Sequence, residues 1–437
     1  MIKSFPINYG GETRFLEVPE ENLEAVAKIK DLPPLLNLKE AVKRAVENPI
    51  GGEKLSDLVK PGCTVAVLTI DRLPITTSIM NPIILDVLNE MGVKDQDITL
   101  VYAVGTHQTP ANEAHLGLGV AERVKVVRHL CDDEKVMEYV GITRFGTPLW
   151  INRHVLNADV KIGLSEVAPH PVAGYMGGSK IILPGVAARG SIDHNHSFLL
   201  SPKIFYGVVD GNIIREDMND AARMAGLDMK IDVLINSKQE IVNIFAGDPI
   251  KEWRAAIPFS DQIWSTRIKR RADIFIYHPG SMRESTALGS LYQSAETAEL
   301  CLKDDGIIIN ASSCTDGVAG KPSPPSGARG QYVPPLSSAT KLARLDTDDL
   351  ARLIVRHKVN VRDAVLVYRQ RRLLEKYRFF LASTKIPEDE AREYGFEHSG
   401  LPLKETVNKA LQEKGKGARV VVMLQEGIAW RNMVFSD

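Results

Sequence analysis

The sequence predicts an α/β architecture: two α/β domains with mainly parallel sheets and an active site in the cleft between them. Two observations carry that expectation. Short β-branched runs alternate with longer stretches of helical spacing, as strand–helix–strand units require. A length of 437 residues exceeds what one hydrophobic core holds.

The elements follow in order. Residues 64–68 (Thr-Val-Ala-Val-Leu) read as a buried strand and 81–91 as a helix. Residues 98–104 form a second strand, ending in Gly105-Thr106-His107. Further strands are expected at 159–164, 231–235, 272–277, 306–310 and 419–424. Residues 249–265 carry Trp253, Ile257 and Trp264 at helical spacing. The basic cluster 266–271 reads as a solvated linker, which divides an N-terminal domain, 1–268, from a C-terminal one, 269–437. The last strand of the second domain could pack back on the first. Residues 317–338, rich in Pro, Gly and Ser, read as a mobile loop or a lid over a site.

Composition narrows the function. Fifty-four basic and fifty-five acidic side chains leave a net charge of -1, which gives no electrostatic case for a nucleic-acid or anionic-membrane partner. The N-terminal residues lack the apolar run of a signal peptide, and no stretch of about 18 apolar residues suggests a membrane span. Four cysteines without a CxxC pair suit reduced thiols in a cytoplasmic protein.

Two histidines close predicted strands. His107 follows the strand at 98–104, and His170, between Pro169 and Pro171, follows that at 159–164. Carboxyl ends of parallel strands line the binding crevice of doubly wound sheets, although each histidine could equally satisfy a buried hydrogen bond. Gly177-Gly178-Ser179-Lys180 is not a phosphate loop. Ser179 separates glycine from lysine, and Ile181 stands where a magnesium-binding hydroxyl is needed. The glycines still permit close backbone approach to an anionic ligand. Lys180, beside Ile181-Ile182-Leu183, is either a surface lysine or a covalent attachment point in apolar surroundings. Asp193-His194-Asn195-His196 lacks zinc-site spacing and better suits one imidazole completing a cofactor's coordination sphere.

Together, Gly105-Thr106-His107, residues 170–196 and Leu291-Tyr292-Gln293-Ser294 resemble the nickel-dependent lactate racemase family. The match is strongest from Arg72 to His196, continues through Phe245-Ala246-Gly247-Asp248-Pro249 and thins after Ser294. Members of that family carry a nickel-pincer nucleotide, pyridinium-3,5-bisthiocarboxylic acid mononucleotide with Ni(II), supplied by cofactor-biosynthesis enzymes. The resemblance implies that Lys180 is the covalent anchor and His196 the nickel ligand, in a square-planar sphere of soft donors. It implies that His107 and His170 are paired acid/base residues and that Arg72 grips the substrate carboxylate. Thr69, Gly177, Gly178 and Gln293 would face the cofactor, and Tyr292 the substrate. The implied reaction moves the α-hydride of a 2-hydroxy acid to the cofactor and returns it to either face of the keto acid. A hydride acceptor thereby avoids a carbanion beside a carboxylate.

Two positions depart from the family pattern. Thr69 stands where lactate-active members have an acidic residue, and Glu296 where they have a lysine that supports the substrate carboxylate. An anion there would repel lactate and could instead accept hydrogen bonds from a larger, polyhydroxylated acid; the other reading is an exposed helix residue. Arg283 could restore the missing positive charge. The expectation is therefore a racemase or epimerase of a 2-hydroxy acid other than lactate. The alternatives are a non-catalytic binder of the same nucleotide, or another redox isomerase that uses it.

Overall fold

The computed structural model describes the chain except residues 71–73, 108, 110, 202, 281–284, 292–294, 319–340, 357, 360, 425–431 and 436–437. The described residues form two compact units. One is Lys30–Ile263; the other combines Met1–Ile29 with the chain from Trp264 onward.

The chain begins with an antiparallel hairpin, β1 (Ile2–Tyr9) and β2 (Glu12–Pro19), followed by β3 (Leu23–Ala27). The Lys30–Ile263 unit is built on β4 (Val65–Ile70), β5 (Ile98–Ala103), β6 (Lys125–Arg128), β9 (Val160–Glu166), β12 (Met229–Ile235) and β13 (Ile241–Gly247). Between them lie a hairpin, β7 (Met137–Ile142) with β8 (Pro148–Asn152), and the short pair β10 (Pro169–His170) with β11 (Gly174–Tyr175). The six-stranded sheet has the order β13-β12-β9-β4-β5-β6 and is parallel except for the β12–β13 edge. Its central strands are buried on both faces, as consecutive residues Val65 to Leu68 of β4 and Leu100 to Tyr102 of β5 show. Val65, Val67, Leu100, Ile162, Ile231 and Val233 are all buried.

The other unit adds β14 (Ser265–Ile268), β15 (Ala272–His278), β16 (Leu302–Asn310), β17 (Arg378–Leu381), β18 (Val420–Leu424) and β19 (Asn432–Phe435). Its five-stranded sheet, β17-β16-β15-β18-β3, is parallel throughout. Ile7, Leu16 and Val18 of the N-terminal hairpin share its core with Ile274, Ile307, Phe380 and Val420.

The α/β class with mainly parallel sheets is what the alternating pattern predicts. Each expected strand is present, displaced by a few residues at most, and the helices at 81–91 and 249–265 are Pro74–Glu90 and Lys251–Trp264. The basic cluster differs from the expected linker. Its first half is β14, parallel to β19, with Ser265 and Ile268 buried and only the charged side chains facing water. Alternation of one apolar residue with cations is a strand pattern that the density of charge conceals. Residues 319–340, most of the expected lid, lie outside the described residues. All four cysteines are free thiols, and among the described residues no helix is long and apolar enough to cross a membrane.

Candidate active site

Strand order brings Thr69, His107 and His170 to the carboxyl ends of three neighbouring strands. The chain enters the sheet at β4, runs outward through β5 and β6, then returns to the other side of β4 as β9. Parallel strands splay their following loops apart where the order reverses, and a crevice opens at their carboxyl ends. Thr69 is near the end of β4, His107 follows β5, and His170 follows β9. The two histidines therefore leave the sheet on opposite sides of the β4 end.

The Gly-rich turn is built against this edge. A short 3₁₀ helix, Gly178–Ile181, packs on β4, β9 and β12 and against the helix Ile213–Ala225. Its carboxyl side closes through Gly185, whose N–H donates to the Lys180 carbonyl at 3.3 Å. The Gly185 carbonyl accepts the Gly105 N–H at 3.0 Å. One residue thus links the Lys180 turn to the loop that carries His107. A Cβ at Gly105 would lie 3.1 Å from the Pro184 carbonyl, and its φ is +54°, so both space and backbone require glycine.

The glycines of the turn do something other than leave room for an anionic ligand. Gly177 and Gly178 both have positive φ, and a Cβ on either would strike protein: Asp232 and Val167 for Gly177, Trp253 and the Pro249 carbonyl for Gly178. The Gly178 N–H donates to Asp232 Oδ2 at 2.7 Å. The anion that this amide meets is a carboxylate of the chain itself.

Beneath the turn lies a buried charge cluster. Asp232 also accepts from Ser165 Oγ at 2.6 Å and pairs with Lys230, and all three side chains are buried. Burial would raise the Asp232 pKa; Lys230, Ser165 and the Gly178 amide outweigh it, so the net direction is downward and Asp232 stays ionised. Burial and the neighbouring Asp232 charge push Glu252 well above the usual carboxylate range, the direction that favours its protonated form. Neither Glu252 carboxyl oxygen has a hydrogen-bond partner. Arg215, also buried, donates from Nε to the Ala173 carbonyl at 3.1 Å, from Nη1 to that of Gly177 at 3.0 Å, and from Nη2 to that of Tyr175. Its guanidinium carbon lies 4.1 Å from the centre of the Trp253 ring. Burial lowers its pKa to about 9, which still leaves it charged at neutral pH.

His170 is buried, and its Nδ1 accepts from the Val172 and Ala173 N–H groups, each at 3.1 Å. His196 lies on the helix Arg189–Ser197, where its Nδ1 is 2.9 Å from the Ile192 carbonyl. A carbonyl only accepts, so Nδ1 carries the proton and Nε2 the lone pair, the arrangement of a metal-ligating imidazole fixed by a backbone acceptor. Its neighbour Asn195 is fully buried, donating to Asp217 at 2.7 Å, and His194 stacks edge-on against Phe198. Among the described residues no three His, Cys, Asp or Glu side chains converge as a metal cage.

The hydroxyls of Thr69 and Ser179 are buried without a hydrogen-bond partner, a cost that a polar ligand at this edge would remove. His107 also borders a cavity of about 310 Å³ lined by Gly105, His129, Leu130, Cys131, Asp132 and Asp133. Burial holds the His129 pKa down at about 4, and Asp132 pairs with Arg189. His129 escaped the sequence reading although the strand-end argument used for His107 applies to it after β6. Arg215, Asp232 and Glu252 were missed too; a charged residue inside the apolar run of β12 was the available signal.

Glu296, expected at the substrate or on an exposed helix face, is buried with both carboxylate oxygens on Arg369, at 2.8 and 2.7 Å. A bidentate guanidinium neutralises the anion. Arg72, Arg283, Tyr292 and Gln293 lie outside the described residues.

Comparisons with known proteins point to one family. A family model described as the lactate racemase N-terminal domain matches residues 9–207. A lactate racemase from Thermoanaerobacterium thermosaccharolyticum is 30% identical over 374 residues, 82% of this chain and 87% of its own length. Another from Lactiplantibacillus plantarum is 28% identical over 321 residues, 72% and 75% of the two chains. The lactate racemase apoprotein structure from T. thermosaccharolyticum aligns over 100% of both chains with a TM-score of 0.81 at 25% identity. A Thermotoga maritima protein of known structure shares the fold, with a TM-score of 0.64 at 19% identity over 91% of this chain and 98% of its own.

Proposed function

The chain belongs to the lactate racemase family, and from that premise we propose that it racemises or epimerises a 2-hydroxy acid with a nickel-pincer nucleotide tethered to Lys180. One observation carries the reading most: His107 and His170 leave one sheet edge on either side of β4, where the strand order reverses. Mere binding of a nucleotide needs no such pair.

The residues present fit the group. His196 would be the single protein ligand to nickel through Nε2, with its ring held by the Ile192 carbonyl. Lys180 would be the covalent anchor, and the unpartnered Thr69 and Ser179 hydroxyls would meet polar atoms of the nucleotide. Gly177 and Gly178 would act indirectly, by seating the Lys180 turn on Asp232 and Trp253. When bound, the nucleotide supplies a hydride acceptor. By the resemblance, Arg72 would hold the substrate carboxylate, Tyr292 would contact the substrate and Gln293 the cofactor. His107 and His170 would manage the proton of the hydroxyl as the carbonyl forms and reverts. With Glu296 neutralised by Arg369, its charge is no argument against lactate, which joins larger 2-hydroxy acids as a candidate. Free cysteines suit a reducing, cytoplasmic setting, and cofactor-biosynthesis enzymes would be the maturation partners.

The test is co-expression with cofactor-making enzymes, followed by metal analysis, intact mass and a chirality screen over lactate and longer 2-hydroxy acids. One nickel per chain, a mass increment lost in Lys180→Ala, and turnover lost in His107→Ala with nickel retained are expected. Neither nickel nor an increment on Lys180 after co-expression would overturn the proposal. Nickel and increment without turnover on any acid would leave a cofactor binder.

A further inference from the structure

Lys180 and His196 are joined by a stretch whose backbone is bonded on both sides. Between Pro184 and Arg189 each peptide group has a partner at its N–H and at its C=O. The Gly185 and Val186 N–H groups donate back to the Lys180 and Ile182 carbonyls, at 3.3 and 3.0 Å, and the Ala187 N–H to the Pro184 carbonyl at 3.3 Å. The Ala188 N–H donates to the Trp150 carbonyl and the Arg189 N–H to that of Cys131, both at 2.9 Å. On the acceptor side, the Gly185 carbonyl takes the Gly105 N–H, that of Val186 the Asn152 N–H, and that of Ala188 the Ile192 N–H, each at 3.0 Å. These bonds join backbone to backbone. The remaining carbonyl, that of Ala187, accepts from Nε2 of His129 at 3.0 Å. A side chain, not the main chain, thus completes the set.

His129 is fully buried, and its ring is fixed from both ends. A carbonyl only accepts, so Nε2 carries the proton. Nδ1 lies 3.3 Å from Nδ2 of Asn152, whose Oδ1 accepts the His154 N–H at 3.0 Å. With its oxygen engaged there, the Asn152 amide turns its nitrogen to Nδ1 and donates to it. Burial, which holds the His129 pKa down at about 4, keeps the ring in this neutral form. Downstream, Ala188 offers no capping side chain to the helix Arg189–Ser197. The segment after His129 supplies the cap: the Cys131 carbonyl meets the Arg189 N–H, and Asp132 receives the Arg189 guanidinium. From there the path to His196 is short. Ile192 donates its N–H to the Ala188 carbonyl, and its own carbonyl accepts the His196 Nδ1–H.

On the reading of Lys180 and His196 as cofactor anchor and nickel ligand, we propose that His129 is a positioning residue for both. Its hydrogen bond to Ala187 holds the connecting stretch in one conformation, so the spacing of anchor and ligand is set before any cofactor arrives. The physical reason is preorganisation. A ligand whose support is already ordered loses less freedom on binding, and groups one step behind a metal ligand tune metal affinity by roughly 10–100-fold. Asn152 acts through His129 by fixing its tautomer.

Two measurements on the full chain test this. The Ala188 N–H shares a peptide group with the Ala187 carbonyl, and in cofactor-free His129→Ala its hydrogen exchange should be about fivefold faster, the worth of one hydrogen bond. In protein loaded by co-expression with cofactor-making enzymes, His129→Ala should lose nickel to a chelator roughly 10–100-fold faster than wild type, with the mass increment on Lys180 kept. His129→Gln retains an N–H donor and should bring both rates back toward wild type. Nickel release is compared at equal distances below each protein's melting temperature, which removes general destabilisation. Faster exchange with wild-type nickel release in folded His129→Ala would overturn the proposal and leave His129 a structural residue. A glutamine variant no better than alanine would overturn it too. Asn152→Ser keeps a cap for the His154 N–H but removes the donor that fixes the ring, so it serves where His129→Ala does not fold. Faster exchange and nickel release are again expected, and wild-type values of both would sink the idea. Wild type that takes up no nickel would overturn the proposed function and this inference with it, whereas loaded wild type beside an indifferent His129→Ala removes the inference alone.

Discussion

Asp232 and Glu252 are neighbouring buried acids whose pKa values shift in opposite directions, because Lys230, Ser165 and the Gly178 amide bond only Asp232. Their substitutions should separate accordingly. Asp232→Asn strands the buried Lys230 charge and should cost about 3–5 kcal/mol in denaturant unfolding. Glu252→Gln replaces a neutral acid by a neutral amide of equal size and should change stability by less than about 1 kcal/mol. Comparable losses from both would mean that Glu252 is ionised. At this scale the sequence exposes the residues with unusual chemistry, His107, His170, Lys180 and His196, through their local motifs. It does not expose Arg215 or Glu252, because an isolated charge on a helix looks the same whether solvent or Trp253 covers it.

Among elements, the turn from Gly178 to Gly185 has the least tolerance. A Cβ on Gly185 would overlap the Ile181 carbonyl and push apart the hydrogen bonds that join Lys180, Gly185 and Gly105. Gly185→Ala is expected to destabilise by about 1–3 kcal/mol and to lower cofactor loading on Lys180 beyond what the melting shift accounts for. Full loading in a folded Gly185→Ala protein would show that the turn does not position the lysine. Long apolar strands such as β4, β5 and β15 were legible because burial on both faces leaves an uninterrupted apolar run. β6, β13 and β14 were not, since an edge strand alternates or carries cations and resembles a loop.

For the whole molecule, Met1–Ile29 belongs with the chain from Trp264 onward, adding β3 to the edge of that sheet and three apolar side chains to its core. Deleting residues 1–29 should therefore unfold that unit, seen as protease sensitivity confined to residues beyond 264; an unchanged digestion pattern would argue against it. Stability should also depend on pH from two sides. His129, depressed from 6.5 to about 4 by burial, is neutral when folded while the unfolded chain takes a proton. Its contribution is complete above pH 6.5 and is lost as pH falls toward 4, by about 3 kcal/mol. Glu252 has the opposite sign: its raised pKa gives a contribution complete below 4.5 that is lost as pH rises. Thermal melts across this range should flatten on the acid side in His129→Gln and on the basic side in Glu252→Gln.

The sequence by itself determined the α/β class, seven strands of the two parallel sheets and the short motifs that hold the candidate histidines and lysine. These are local properties, written in periodicity, in proline and glycine, and in residues adjacent along the chain. Only the tertiary structure decided that the N-terminal hairpin joins the C-terminal sheet, that Glu296 is matched by Arg369, and that Arg215 reaches back to the His170 turn. Each of those pairs residues tens to hundreds of positions apart, and the free energy that selects them comes from burial and hydrogen-bond satisfaction, which no local pattern encodes.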